Sequence, residues 1–242
     1  MVNIRELFNI KQNISINTQN LPRHVALTMN GSIAYANKNN ISLDEIFKQR
    51  FVNVKNIIKI CTKLNIPITT FYVLRNKRED TMHFSSMIDS IAYFFNSLLE
   101  WDLIKEKKIK ISIIGKWYDL PDRVIEPIKK ITSDTKDYDD FFVNFCINYN
   151  GQDEIVDACK LIVRQMQAEK LNPDNITKQT IKDNLYSSYF LPPDLIIKTG
   201  IKKSFGGLLL WDSAHSRIYL SNTLWPDFGK ADFLKAVEWY QK

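Results

Sequence analysis

Histidine, cysteine and glycine are scarce in this 242-residue chain, and each scarcity closes off a class of function. The 3 histidines, His24, His83 and His215, have no spacing that suits a metal centre or a nucleophile-activating pair. The 3 cysteines, Cys61, Cys146 and Cys159, lie in apolar periodic segments without metal-ligand spacing, and read as buried free thiols of a reducing compartment. With 7 glycines, 8 prolines and no stretch rich in Gly, Pro or Ser, the sequence is neither low-complexity nor divided by a linker. No apolar run approaches the ~20 residues of a membrane span, and no signal-peptide core opens the chain. The expectation is a cytoplasmic protein, at most peripheral to a membrane.

What is present fits one large globular domain. Hydrophobic residues make up 45% and charged residues 25%, enough to build a sizeable core at this length. The net charge of +6 comes mostly from lysines on solvated faces, as in Lys105-Glu106-Lys107-Lys108. The sharper reading of that charge is attraction to anionic lipid, at about 1 kcal/mol per well-placed basic residue. No aromatic-basic platform is visible, so no nucleic-acid partner is expected.

Residues 1–21 form an asparagine-rich leader with an amphipathic patch, Ile4 to Ile10, read as a loose arm or short helix. A single domain is expected over 22–242. His24 to Thr28 reads as a buried strand ending in a polar, glycine-containing turn. A helix is expected over Ile41–Leu64, from the spacing of Ile46, Phe47, Val54, Ile57, Ile58 and Cys61. Ile68–Leu74 is a β-branched strand, Phe84–Ile104 a long helix, Ile109–Gly115 a strand, and Pro121 stands near the start of the next helix. Phe141–Ile147 (strand) and Gln152–Gln167 (helix) follow. Asp194–Lys198, Gly207–Trp211 and Arg217–Leu220 are further strand candidates, with a terminal helix from about Lys230. This alternation predicts an α/β fold, with a central, mainly parallel β-sheet flanked by helices on both faces.

Five motifs occur in order. They are His24–Ser32, which ends in Met29-Asn30-Gly31-Ser32, then Asn144–Ile155, Leu191–Thr199, the strand and turn Leu209–Ser216, and Leu224-Trp225-Pro226-Asp227-Phe228. Jointly they resemble the cis-prenyltransferases, the undecaprenyl and dehydrodolichyl diphosphate synthases, from about Pro22 to the C-terminus. The resemblance implies that family's fold and, in its active members, a magnesium ion and arginines that neutralise an allylic diphosphate as it ionises.

The departures fall on that chemistry. Asn30 stands where the family's metal-binding aspartate would be, and Arg217 where its second carboxylate would be. Ala34, Leu43 and Phe47 align with an arginine, another arginine and a histidine. Lys198, Ser204 and Gly206 align with two arginines and a serine that hold isopentenyl diphosphate. Lysine keeps the charge but lacks the planar fork. The resemblance therefore implies a preserved scaffold without catalytic residues, with Asn30 and Arg217 as degenerate positions. Gly31, Ser32, Lys198, Ser204 and Gly206 are at most a vestigial substrate site. Neither metal nor cofactor is expected on this chain, and magnesium is expected on a catalytic partner.

The leading expectation is a non-catalytic accessory subunit of a heteromeric long-chain polyprenyl diphosphate synthase, like the Nogo-B-receptor type of subunit. It would pair with a catalytic cis-prenyltransferase subunit as a heterodimer or heterotetramer. By resemblance, the interface is expected around Leu208, Leu209, Leu210, Trp211 and Tyr219. The C-terminal Arg-x-Gly of the eukaryotic partners is absent from Glu238-Trp239-Tyr240-Gln241-Lys242. The alternatives are a divergent homodimeric enzyme gripping phosphate through Lys198, Lys202 and Lys203, or a prenyl diphosphate-binding protein without turnover.

Overall fold

The computed structural model describes residues 14–75, 83–201 and 206–242. The amphipathic patch of residues 4–10, Lys202, Lys203 and Ser204 lie outside the described residues. Among the described residues, six strands form one sheet in the order β3-β4-β2-β1-β5-β6. They are β1 (His24–Thr28), β2 (Ile68–Arg75), β3 (Ile109–Ile114), β4 (Phe141–Tyr149), β5 (Leu195–Lys198) and β6 (Arg217–Leu220). Every pairing is parallel, including Val25 with Thr69 on one side of β1 and with Leu195 on the other. β1, β2, β4 and β5 are buried almost throughout, as the continuous apolar runs of a covered parallel sheet require.

The helices follow local rules. α1 (Ser32–Asn39) starts directly from the loop after β1. α2 (Leu43–Leu64) is capped by Ser42, whose side chain accepts from the Glu45 N–H at 3.2 Å, with Asp44 and Glu45 in its first turn. It ends at Asn65, which takes the left-handed conformation (φ 57°) that an asparagine tolerates. The helix expected over Phe84–Ile104 is broken in two, α3 (Phe84–Leu99) and α4 (Asp102–Glu106). At the break, Trp101 is extended and its ring lies 5.2 Å from the Lys55 ammonium and 5.8 Å from that of Lys59. α5 (Asp122–Asp134), α6 (Gly151–Gln167), α7 (Lys178–Asp183) and α8 (Lys230–Tyr240) complete the set among the described residues. α1 and α7 were not foreseen: both are short, polar and without a usable apolar period.

The main core lies between the sheet and the apolar faces of α2, α3, α5 and α8. Its centre is aromatic. Phe51 of α2 stacks on Phe94 of α3 with ring centroids 4.3 Å apart, and Phe94 and Phe95 meet the edge of Phe145 at 5.4 and 5.3 Å. Such pairs add about 0.5–1.5 kcal/mol each beyond area burial. Trp225 is fully buried, and its indole N–H donates to the Arg50 carbonyl at 2.8 Å.

Residues 14–21 are packed on the body. Ile14 and Ile16 are buried, and the Asn17 N–H donates to the Gln241 side chain at 2.9 Å.

One strand expectation is corrected. Gly207–Trp211 is a series of turns, because Gly206 and Gly207 have φ of 74° and 85° and Leu209 has φ 45°. An extended strand cannot pass through that backbone. The run is apolar because Leu208 and Leu209 fill a second, smaller core with Tyr149 and Ile196. No helix among the described residues is long and apolar enough to cross a membrane.

Candidate functional site

A cavity of about 700 Å³ opens at the C-terminal ends of β1, β2 and β5. β2 and β5 flank β1 on opposite sides, so the crevice lies where the strand order diverges, the place an open parallel sheet offers a ligand. Its walls include Thr28–Ala34, Phe47 and Arg50 of α2, Tyr72–Arg75, Phe84 and Met87 of α3, Lys198, Gly200 and Leu224. Of the long apolar face of α3, only Phe84 and Met87 reach this space. Ile88, Ile91, Phe94, Phe95 and Leu98 are core.

The floor of the crevice is the loop after β1. Asn30 donates its backbone N–H to Thr199 Oγ1 at 3.1 Å and its side-chain amide to Thr28 Oγ1 at 3.0 Å, while its carbonyl accepts from the Trp225 N–H at 2.9 Å. Gly31 has φ 102°, and a Cβ there would fall 2.7 Å from Leu224 Cδ2. Only glycine fits both restraints. α1 therefore starts without a capping side chain and without an acidic residue in its first turn. Ser32 follows, buried, with an Oγ that has no hydrogen-bond partner. An uncapped helix start beside an unsatisfied hydroxyl suits an anion.

Three basic side chains converge on the same space. Lys198, at the end of β5, is buried, and its pKa is lowered by desolvation and then by Arg75. Arg75 ends β2 on the opposite side of β1. Arg50 enters from α2, 4% exposed, its Nη2 donating to the Val73 carbonyl at 2.8 Å. Gly206 lines the cavity too, and the Tyr72 hydroxyl lies 3.2 Å from its carbonyl.

Among the described residues, no aspartate or glutamate lines the cavity. Nor does any group of three His, Cys, Asp or Glu residues occur that could hold a metal. Magnesium is a hard cation that takes oxygen ligands, with at least one or two carboxylates beside substrate phosphates. Residues that present a neutral amide and three cations do not fit it.

The structure brings together Asn30, Gly31, Ser32, Lys198 and Gly206 from the sequence reading. It sets Arg217 apart. Arg217 lies on β6, its guanidinium over the ring of Trp239 at 4.6 Å and donating to the Tyr240 carbonyl. Within this chain it fastens α8 to the edge strand. Leu208 and Leu209 are buried within the chain and present no surface to a partner, whereas Leu210, Trp211 and Tyr219 are partly exposed. Arg50 and Arg75 were missed. Arg50 was detectable as the one basic residue inside the stripe Phe47, Phe51, Val54, Ile57, Ile58. For Arg75, only the sheet order, with β2 and β5 on either side of β1, shows that it comes near Lys198.

Comparison with known proteins agrees with this architecture. Residues 28–242 match the family model Prenyltransf, described as "Putative undecaprenyl diphosphate synthase". A tritrans,polycis-undecaprenyl-diphosphate synthase (geranylgeranyl-diphosphate specific) of Thermoplasma volcanium is 34% identical over 223 residues, covering 91% of this chain and 86% of that protein. An isoprenyl transferase of Listeria monocytogenes is 30% identical over 223 residues, covering 91% and 88%. In fold, the chain is similar to lavandulyl diphosphate synthase from Lavandula x intermedia in complex with dimethylallyl diphosphate. The TM-score is 0.87 at 24% identity, over 91% of this chain and 95% of that one. A parallel sheet with its crevice at β1 and a match running from Thr28 to the last residue leave one assignment: the chain belongs to the cis-prenyltransferase family.

Proposed function

We propose that this chain is a non-catalytic accessory subunit of a heteromeric cis-prenyltransferase. The complex makes long-chain polyprenyl diphosphate from isopentenyl diphosphate and an allylic diphosphate. The observation that supports this reading is the cavity without a carboxylate among its described lining residues. Loss of an electrostatic contact to developing charge costs ~10²–10³-fold in rate. Asn30 in place of aspartate, together with the lost arginines, removes several such contacts. The carboxylates and magnesium would then belong to a catalytic partner. Leu210, Trp211 and Tyr219, with Ile218 and Leu220 exposed on the edge strand β6, are the surface proposed to meet it. The net charge of +6 supports peripheral contact with an anionic membrane carrying the product.

A second reading is a divergent homodimeric synthase active by itself. The names of the relatives favour it, since they are names of synthases and transferases. So does the cluster of cations that remains to hold a diphosphate. One experiment separates the two. The purified chain is given magnesium, farnesyl diphosphate and isopentenyl diphosphate, alone and co-expressed with homologues that retain Met-Asp-Gly-Asn. Turnover only in the pair supports the accessory role; product from the chain alone selects the homodimeric enzyme and rejects the first reading.

A further inference from the structure

We infer that Arg50 is an anion ligand, whose buried guanidinium takes a phosphate of a diphosphate group and supplies positive charge that a divalent cation would otherwise bring. The inference deepens the reading of the cavity as a diphosphate site and rests on it.

Arg50 occupies a place where a cation is out of keeping. It sits in the apolar stripe of α2, between Phe47 and Val54, its guanidinium 5.4 Å from the centre of the Phe51 ring. A guanidinium has five N–H donors. Here Nη2 donates to the Val73 carbonyl at 2.8 Å and lies 3.9 Å from Met29 Sδ, and Nε is buried with no partner. Among the described residues no carboxylate pairs with it; burial pulls its pKa down, to about 10, so the group stays charged at neutral pH. A buried, unpaired cation is among the least favourable groups a fold can carry. A strut from α2 to β2 would need only one donor and no charge.

The surroundings say what would relieve it. Among the described residues, the titratable groups on the cavity wall from the other elements are Tyr72 and Arg75 of β2, Lys198 of β5 and His83 beside α3, and none is a carboxylate. The fourth side is the uncapped start of α1, with the unsatisfied Ser32 Oγ. A diphosphate has two phosphates to divide among the positive groups of these four elements. The planar fork of arginine suits phosphate oxygens bidentately. Inorganic pyrophosphate and an isoprenyl diphosphate share this chemistry. The apolar wall of Phe47, Phe84 and Met87 has room for a short hydrocarbon ester.

The test is calorimetric titration of the full chain in EDTA with inorganic pyrophosphate and with isopentenyl diphosphate. Wild type, Arg50→Lys and Arg50→Met are compared, each with its thermal unfolding midpoint. Wild type is expected to bind without magnesium, and Arg50→Met to weaken both ligands at least tenfold, with Arg50→Lys intermediate. Tighter binding of the ester than of pyrophosphate would add the apolar wall to the site, and equal affinity would assign recognition to the phosphates alone. A folded Arg50→Met that binds within twofold of wild type would overturn the inference, as would wild-type binding that needs magnesium. If Arg50→Met does not fold, Arg50→Lys decides, since it keeps the charge and loses the fork; unchanged affinity there also overturns it. Binding through Arg50 in a chain that supports no turnover with any partner would sink the proposed function and leave this inference standing.

Discussion

The cavity and the polar cluster around Glu154 and Asp212 handle charge in opposite ways. In the cluster, each carboxylate has donors. Glu154 accepts from the Tyr149 hydroxyl at 2.5 Å and from the Ser187 N–H at 3.1 Å. Asp212 accepts from Lys182 Nζ at 2.8 Å and from the Ser187 hydroxyl at 2.6 Å, through one oxygen. In the cavity, Arg50, Arg75 and Lys198 share one space with no acidic residue among the described lining. Among the described residues, acids stand where they tie loops to the sheet and none lines the cavity. The cluster settles its charges within the chain, whereas the described lining of the cavity leaves its cations without an acid.

Removing an acid from the cluster tests the first half of that contrast, and the effect should be large. Asp212→Ala leaves the Lys182 ammonium, 14% exposed, beside Ser187 without its counter-charge. Breaking such a pair costs about 3–5 kcal/mol. Urea denaturation should show a loss near the lower figure, with pyrophosphate affinity of the folded variant unchanged. A loss under about 1 kcal/mol would mean that the cluster does not hold the fold.

His24 gives the next effect, readable as a pH dependence. Its ring bonds the Leu191 carbonyl at 2.6 Å and Thr70 Oγ1 at 2.8 Å inside the protein. Burial lowers its pKa from 6.5 to about 4, against the opposing pull of the Leu191 bond. The unfolded chain thus takes up the proton at higher pH than the folded one. The stability is full above pH 6.5 and declines as pH falls towards 4. Between pH 7 and 5 the decline from this residue is about 2 kcal/mol. His24→Gln should remove that part of the slope in denaturation curves at the two pH values; an unchanged slope would refute it.

Lys198 sharpens the other half of the contrast. Its charged form is opposed by desolvation and by Arg75, so the folded protein gains little from it without a ligand. Lys198→Met is expected to leave stability unchanged or slightly raised. It should also weaken pyrophosphate binding about tenfold, or ~1.4 kcal/mol. A variant that loses stability and keeps affinity would place Lys198 with the cluster instead.

Much of this contrast was legible in the sequence. The strands were, because buried parallel strands are written as unbroken apolar runs, as in Ile68–Leu74 and Phe141–Ile147. Asn30 and Lys198 were, because motif order carries them to the ends of adjacent strands β1 and β5. Two features were hidden for a physical reason. The run Gly207–Trp211 has the composition of a strand, but backbone signs at Gly206, Gly207 and Leu209 turn it into a buried coil, and composition does not record φ. The packing of Arg217 was the other, because alignment gives a residue's place in the chain but not where its side chain goes. Stacking on Trp239 takes it to α8.

The smallest effect belongs to the change that looks most like a repair. Asn30→Asp restores the family's aspartate on an exposed loop position, and stability should move by less than about 0.5 kcal/mol. It adds one carboxylate to a space whose other charged groups among the described residues are cations, while Arg217, at the second carboxylate's place in the sequence, is held on Trp239. One carboxylate beside substrate phosphates can give magnesium a ligand, but the arginine forks lost at Ala34, Leu43 and Lys198 stay lost. The expected outcome is no product from the isolated variant with magnesium, farnesyl diphosphate and isopentenyl diphosphate. Turnover would show that a single acid beside Arg50, Arg75 and Lys198 is enough to ionise an allylic diphosphate, and the distinction between a cavity that only binds and one that reacts would reduce to residue 30.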